Sequence, residues 1–168
     1  MDAASLYNAD FHAWSEHQAA VLRRLPRGPV PLPNDLDLEH VAEEIEDLGN
    51  AERNAVASML RQFFVHAVKL HAMPCHSAAR HWMSEANTFL DQAADRYTPS
   101  MAQRIELQPI WRRAVDRVAA DLDSEGADAS VQAAVVALAA RDCPFGIGDL
   151  LHGTPRAERL IGFIPEAP

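Results

Sequence analysis

The feature that most constrains this chain is a stripe of apolar residues between Asp37 and Pro74. Leu38, Val41, Ile45, Leu48, Ala55, Val56, Met59, Leu60, Phe63, Ala67 and Leu70 keep one phase at about 100° per residue, the signature of a helix with one buried face. Asp37 supplies an N-cap, because its carboxylate can accept unpaired amide hydrogens of the first turn, and Glu39 adds favourable charge there. Gly49 sits inside the stripe without breaking its phase. A mid-helix glycine costs about 1 kcal/mol, which a buried stripe of this length outweighs, so one long helix B is favoured. A kink at Gly49 and Asn50, or two shorter helices, is the alternative.

The flanking segments follow the same period. Phe11, Trp14, Val21, Leu22 and Leu25 recur at helical spacing, giving a helix A over residues 8–25. Residues 26–34 carry four prolines and a glycine, which make an extended connector. Pro74 closes helix B, and Ser77 caps a helix C with Trp82, Phe89, Leu90, Ala93 and Ala94 on one face. Thr98 and Pro99 open a short turn through Ile105, and Pro109 begins helix D with Ile110, Trp111, Ala114, Val115, Val118 and Leu122. After a polar loop over 124–129, Ser130 caps helix E, residues 130–141, whose valines and Leu138 among alanines require cover. A brief segment at Asp149, Leu150 and Leu151 precedes a tail over 152–168. Nothing alternates long enough to make a sheet. The expected fold is all-α, an irregular bundle of about five helices with no sheet, in a single domain over 1–168.

Charge and cysteine content narrow the setting. A net charge of -9 without any basic run argues against nucleic acid, whose affinity comes from Lys and Arg displacing counterions. Cys75 and Cys143 form no CxxC pair, which fits a reducing cytoplasm. The start of the chain has no signal-like apolar run, and no apolar stretch approaches the ~18 residues of a membrane helix.

Helix B carries the informative polar residues. Projected on its wheel, Glu39, His40, Glu43 and Asp47 point away from the stripe, Glu52 falls near its centre, and His66 lies on its edge. A carboxylate in an apolar seam needs a partner, because an isolated buried charge costs several kcal/mol. An ion pair with an arginine of helix C or D, or a kink swinging Glu52 to water, meets that need. The sharper reading places Glu52 or Glu44 with Asp10 and His66 in a small polar pocket between helices A and B. His71, Cys75, His76 and His81 are the densest group of metal-ligand types, yet Pro74 interrupts them and zinc needs four convergent groups, so neither a metal nor any other cofactor is expected. His40 and Glu43 reverse the Glu-x-x-His order of di-metal bundles, and the acidic run 39–47 reads as a solvated face or one that meets a basic partner. Cys143 beside Asp142 lacks the electropositive setting of a nucleophile. Trp14, Trp82 and Trp111, one per helix and in register with the apolar faces, read as core anchors. Neither a phosphate-cradling glycine loop nor a Gly-x-Ser-x-Gly elbow occurs.

Tyr7, Asp10-Phe11 and Trp14, then Ala42-Glu43-Glu44-Ile45-Glu46 with Leu48-Gly49, then His66, Lys69 and Trp82, and finally Cys143-Pro144 with Leu150-Leu151, resemble in order and spacing the bacterial family known as domain of unknown function twenty-nine. Helix E looks like an addition to that pattern, and Gly146 stands where the family more often has a helix-capping Thr. The resemblance implies a small bacterial all-α protein and supplies no mechanism. The leading functional expectation is a cytoplasmic interaction module without catalytic activity. Its partner is a protein, either itself or another, and neither nucleic acid nor a membrane. The rival expectation is a ligand or metal binder, or an enzyme, using the polar pocket.

Overall fold

The computed structural model describes residues 2–25, 32–152 and 156–164, and it is all-α, with no strand among them. Residues 26–31 of the proline connector, and 153–155 and 165–168 of the tail, lie outside the described residues. Among the described residues, eight α-helices stand where about five were expected, with a 3-10 helix at Pro99–Gln103. The extra ones come from a break in helix A and from two five-residue helices, Ile147–Leu151 and Ala157–Ile161, too short to show a period. By its contacts the chain divides into two compact units, Met1–Ala55 with Thr98–Ile105, and Val56–Tyr97 with Glu106–Pro168.

In the first unit, α1 (Ala3–Ala9) and α2 (Phe11–Leu22) meet at Asp10. The expected single helix A breaks there because Asp10 takes φ -154° and its Oδ1 accepts the Ala13 amide at 3.0 Å, ending one helix and capping the next. Tyr7, Phe11 and Trp14 close the junction with ring centroids 4.8–5.5 Å apart. The residues that α2 buries are His12, Ser15 and Ala19, not the expected Phe11, Trp14, Val21, Leu22 and Leu25. Close approach explains this. α3 (Leu38–Ala72) runs unbroken through Gly49, and a Cβ built there would land on Ser15 Oγ and lie 3.6 Å from His12 Cα. Gly49 therefore serves the close approach of α2, whose Ser15 side chain and His12 backbone face it. Asp37 caps α3 as expected, accepting the His40 amide at 3.2 Å.

The second unit gathers the later part of α3 with α4 (Ala79–Arg96), α5 (Leu107–Ser124), α6 (Ala129–Ala139), α7 (Ile147–Leu151) and α8 (Ala157–Ile161). Its core centres on Phe63, Phe64, Trp111 and Phe145. The Phe64 ring meets Trp111 edge-on at 5.5 Å and stacks on Phe145 at 5.6 Å. Gln108 secures the chain that delivers Phe145, its Oε1 accepting the Cys143 amide at 2.6 Å. Trp111 is fully buried, whereas Trp14 and Trp82 are half-buried, so only one of the three tryptophans is a wholly enclosed anchor. Ser77 and Ser130 do not cap. α4 starts after Ala78, whose amide donates to His76 Nδ1 at 3.1 Å, and α6 starts after Asp128. α5 and α6 turn back on each other through Gly126, whose φ of 65° suits glycine. α6 buries Val135 and Leu138 and exposes Val136. At Gly146 the amide donates to Asp149 Oδ2 at 2.9 Å, so one arm of a capping box persists without a threonine.

A basic cleft between helices α3 and α5

Phe64 packs on Trp111 and Lys69 pairs with Asp121, so α3 and α5 run side by side in the same direction. Beside that seam lies a cleft of about 520 Å³ lined by Arg61, Gln62, Val65, His66 and Lys69 of α3 and Arg113, Arg117 and Asp121 of α5. α3 contributes at spacings of three and four and α5 at four, which bring the residues of each onto one edge. Four cations thus face one carboxylate on a chain whose net charge is -9.

The two ends of the cleft differ. At one end Asp121 accepts from Lys69 Nζ at 3.2 Å and from Arg117 Nε at 2.8 Å. Burial pushes the Asp121 carboxyl up, but the hydrogen bonds and charges of Arg117 and Lys69 outweigh it and hold the group below the usual carboxylate range. Lys69 Nζ also lies 6.0 Å from the Trp82 ring centroid. At the other end, Arg61 and Arg113 are exposed and make no ion pair among the described residues. His66 lies between, stacked on Phe89 at 5.8 Å, with Nδ1 buried and lacking a hydrogen-bond partner among the described residues. Burial pulls the His66 pKa down, reinforced by Lys69 and His81 and opposed by Glu85. Its ring is therefore neutral at pH 7, a hydrogen-bonding group and not a fifth cation.

The other expected site residues stand elsewhere. Asp10, Glu44 and Glu52 belong to the first unit and His66 to the second. Asp10 is committed to structure, since it caps α2 and accepts the Ser100 hydroxyl at 2.6 Å and the Ser100 amide at 3.0 Å. Burial raises its pKa, but the bonds from Ser100 and Ala13 hold it below the usual range. Ser100 in turn lies 3.0 Å from Nδ1 of the buried His12. Because the serine hydroxyl is donated to Asp10, the imidazole must carry its proton on Nδ1. Glu44 is exposed, and Glu52 is half-buried instead of central to the core. His71 is half-buried, while Cys75, His76 and His81 are exposed. No group of three or more His, Cys, Asp or Glu among the described residues is placed to hold a metal.

Sequence reading missed Arg61, Arg113, Arg117 and Asp121 as site residues. Arg113, Arg117 and Asp121 recur at four, as do Arg61, Val65 and Lys69, but nothing local says that these two rows face each other.

Fold and cleft define an all-α protein with a basic cleft on an acidic chain. The chain belongs to the family described as Domain of unknown function DUF29, whose model matches residues 6–152. It is similar to an alpha-helical protein of unknown function from Rhodospirillum rubrum, at 32% identity and a TM-score of 0.80, covering 93% of this chain and 95% of that one. No curated protein matches the chain. No helix among the described residues is long and apolar enough to cross a membrane.

Proposed function

We propose that this is a ligand-binding protein that takes a small anionic molecule into the cleft between α3 and α5. One observation carries the reading: four cations and a neutral histidine surround about 520 Å³ of space with a single carboxylate among them. That volume suits a small molecule. The excess of negative charge over the whole chain disfavours a nucleic-acid backbone. The expected ligand-binding alternative is thus moved from helices A and B to α3 and α5, with His66 as the residue common to both. An exposed free thiol at Cys75 favours a reducing cytoplasm as the setting.

The test is calorimetric titration of the chain with inorganic pyrophosphate at low ionic strength. Saturable one-to-one binding that is lost in Arg61→Ala/Arg113→Ala supports the reading, and identical heats for parent and variant overturn it.

A second reading, an interaction module that binds a protein or itself, is favoured by a different observation. Val41 and Leu48 are 40% and 57% exposed at a spacing of seven on α3, amid exposed Glu44 and Asp47. Light scattering across a concentration series tests it. A dimer lost in Val41→Glu/Leu48→Glu supports self-association, and a monomer throughout removes it.

A further inference from the structure

The two ends of the cleft are not equivalent, and that asymmetry identifies the kind of anion. We infer that the cleft seats a phosphomonoester, its dianionic phosphate between Arg61 and Arg113 and its uncharged remainder along Gln62 and His66; this rests on the anion-binding reading above.

Lys69 and Arg117 both pair with Asp121, so a ligand charge placed there competes with a carboxylate already in position. Arg61 precedes Lys69 by eight residues on α3, and Arg113 precedes Asp121 by eight on α5. On helices running the same way, Arg61 lies about 12 Å along α3 from Lys69 and Arg113 about 12 Å along α5 from Asp121, at a rise of about 1.5 Å per residue. Arg61 and Arg113 line one cleft and neither makes an ion pair among the described residues, so an anion bound there meets two guanidiniums not already neutralised. A monocarboxylate brings one charge and two oxygens. A phosphate monoester brings up to two charges and three terminal oxygens, enough for a forked contact with each arginine. His66 and Gln62 add uncharged hydrogen-bonding groups between the ends, which suits a hydroxyl-bearing body better than a second charge.

The experiment is calorimetry on the full chain with glycerol 2-phosphate, inorganic phosphate and acetate as probes, for the parent, Arg61→Gln, Arg113→Gln and Lys69→Gln. Both arginines are exposed, so their variants retain the fold, which circular dichroism verifies. The expected order is glycerol 2-phosphate over inorganic phosphate over acetate. Each arginine variant should lose about tenfold or more in affinity for the ester, and Lys69→Gln less than about threefold. Acetate binding as tightly as the ester, with both arginine variants impaired, would overturn the phosphomonoester while leaving an anion site. Ester binding impaired most by Lys69→Gln would place the anion at the paired end and refute the seat proposed here. No binding of any probe would overturn both the ester and the anion site.

Discussion

Gly49→Ala is the substitution whose effect the structure determines most sharply. By helix propensity alone alanine should stabilise α3 by about 1 kcal/mol. The new methyl, however, would fall on Ser15 Oγ and lie 3.0 Å from Ser15 Cβ. The Ser15 hydroxyl is fully buried and donates to the His12 carbonyl at 2.9 Å, so turning it aside costs about 1 kcal/mol for the lost bond. Moving α2 away from α3 to relieve the remaining overlap adds an overpacking cost of about 1–3 kcal/mol. The net effect is a destabilisation of about 1–3 kcal/mol, or a melting temperature lowered by roughly 2–10 °C. Thermal unfolding followed by circular dichroism reads it directly. Ser15→Gly removes the obstructing side chain, so Ser15→Gly/Gly49→Ala should be more stable than the sum of the single changes by about 1 kcal/mol or more. A Gly49→Ala protein as stable as its parent, or strictly additive changes, would refute the close crossing.

Four further outcomes follow from particular side chains. Asp10→Ala removes the α2 cap and both Ser100 bonds and should cost about 2–4 kcal/mol in urea unfolding, with a loss under 1 kcal/mol contradicting its anchoring role. The folded pKa of Asp10 lies below its unfolded value, so its contribution is present above the unfolded pKa and is lost as pH falls through the folded one. Asp10→Asn should therefore flatten the stability profile below about pH 4, and an unchanged acid limb would count against this. Phe145→Ala should cost about 3–5 kcal/mol, because its ring packs against Phe63, Phe64 and Trp111, and a small loss would show that the ring is not central. Cys75 is exposed, whereas burial pushes the Cys143 thiol up, so iodoacetamide at pH 8 should alkylate Cys75 first, with equal rates in peptide mass spectra contradicting that placement.

How much of this was legible in the sequence depended on whether the signal was local. The phase from Leu38 to Leu70 carried α3 as a single helix through Gly49, because a glycine that leaves the period intact does not end a buried stripe. The role of Gly49 was hidden, since it depends on Ser15 of another helix. Helix A misled because its large apolar residues share a period, while the crossing buries a different face, that of His12, Ser15 and Ala19. The cap at Asp10 was a residue type open to notice, but the apolar period running across it suggested continuity. His66 was found on the edge of the stripe, where the cleft lies, whereas its neighbours Arg113 and Arg117 are some fifty positions away. The net charge of -9 also directed attention to carboxylates, although the lining of the cleft between α3 and α5 has the opposite sign.

The central claim, that Arg61 and Arg113 receive an anion, is tested most directly by proton-nitrogen correlation of the arginine Nε–H groups during titration with glycerol 2-phosphate. The account predicts saturable shifts at Arg61 and Arg113 with a smaller change at the Gln62 side-chain amide, while Arg23 and Arg104, already paired with Glu46 and Glu16, stay fixed. Resonances of Arg61 and Arg113 that remain still, or shifts spread evenly over all arginines, would contradict it.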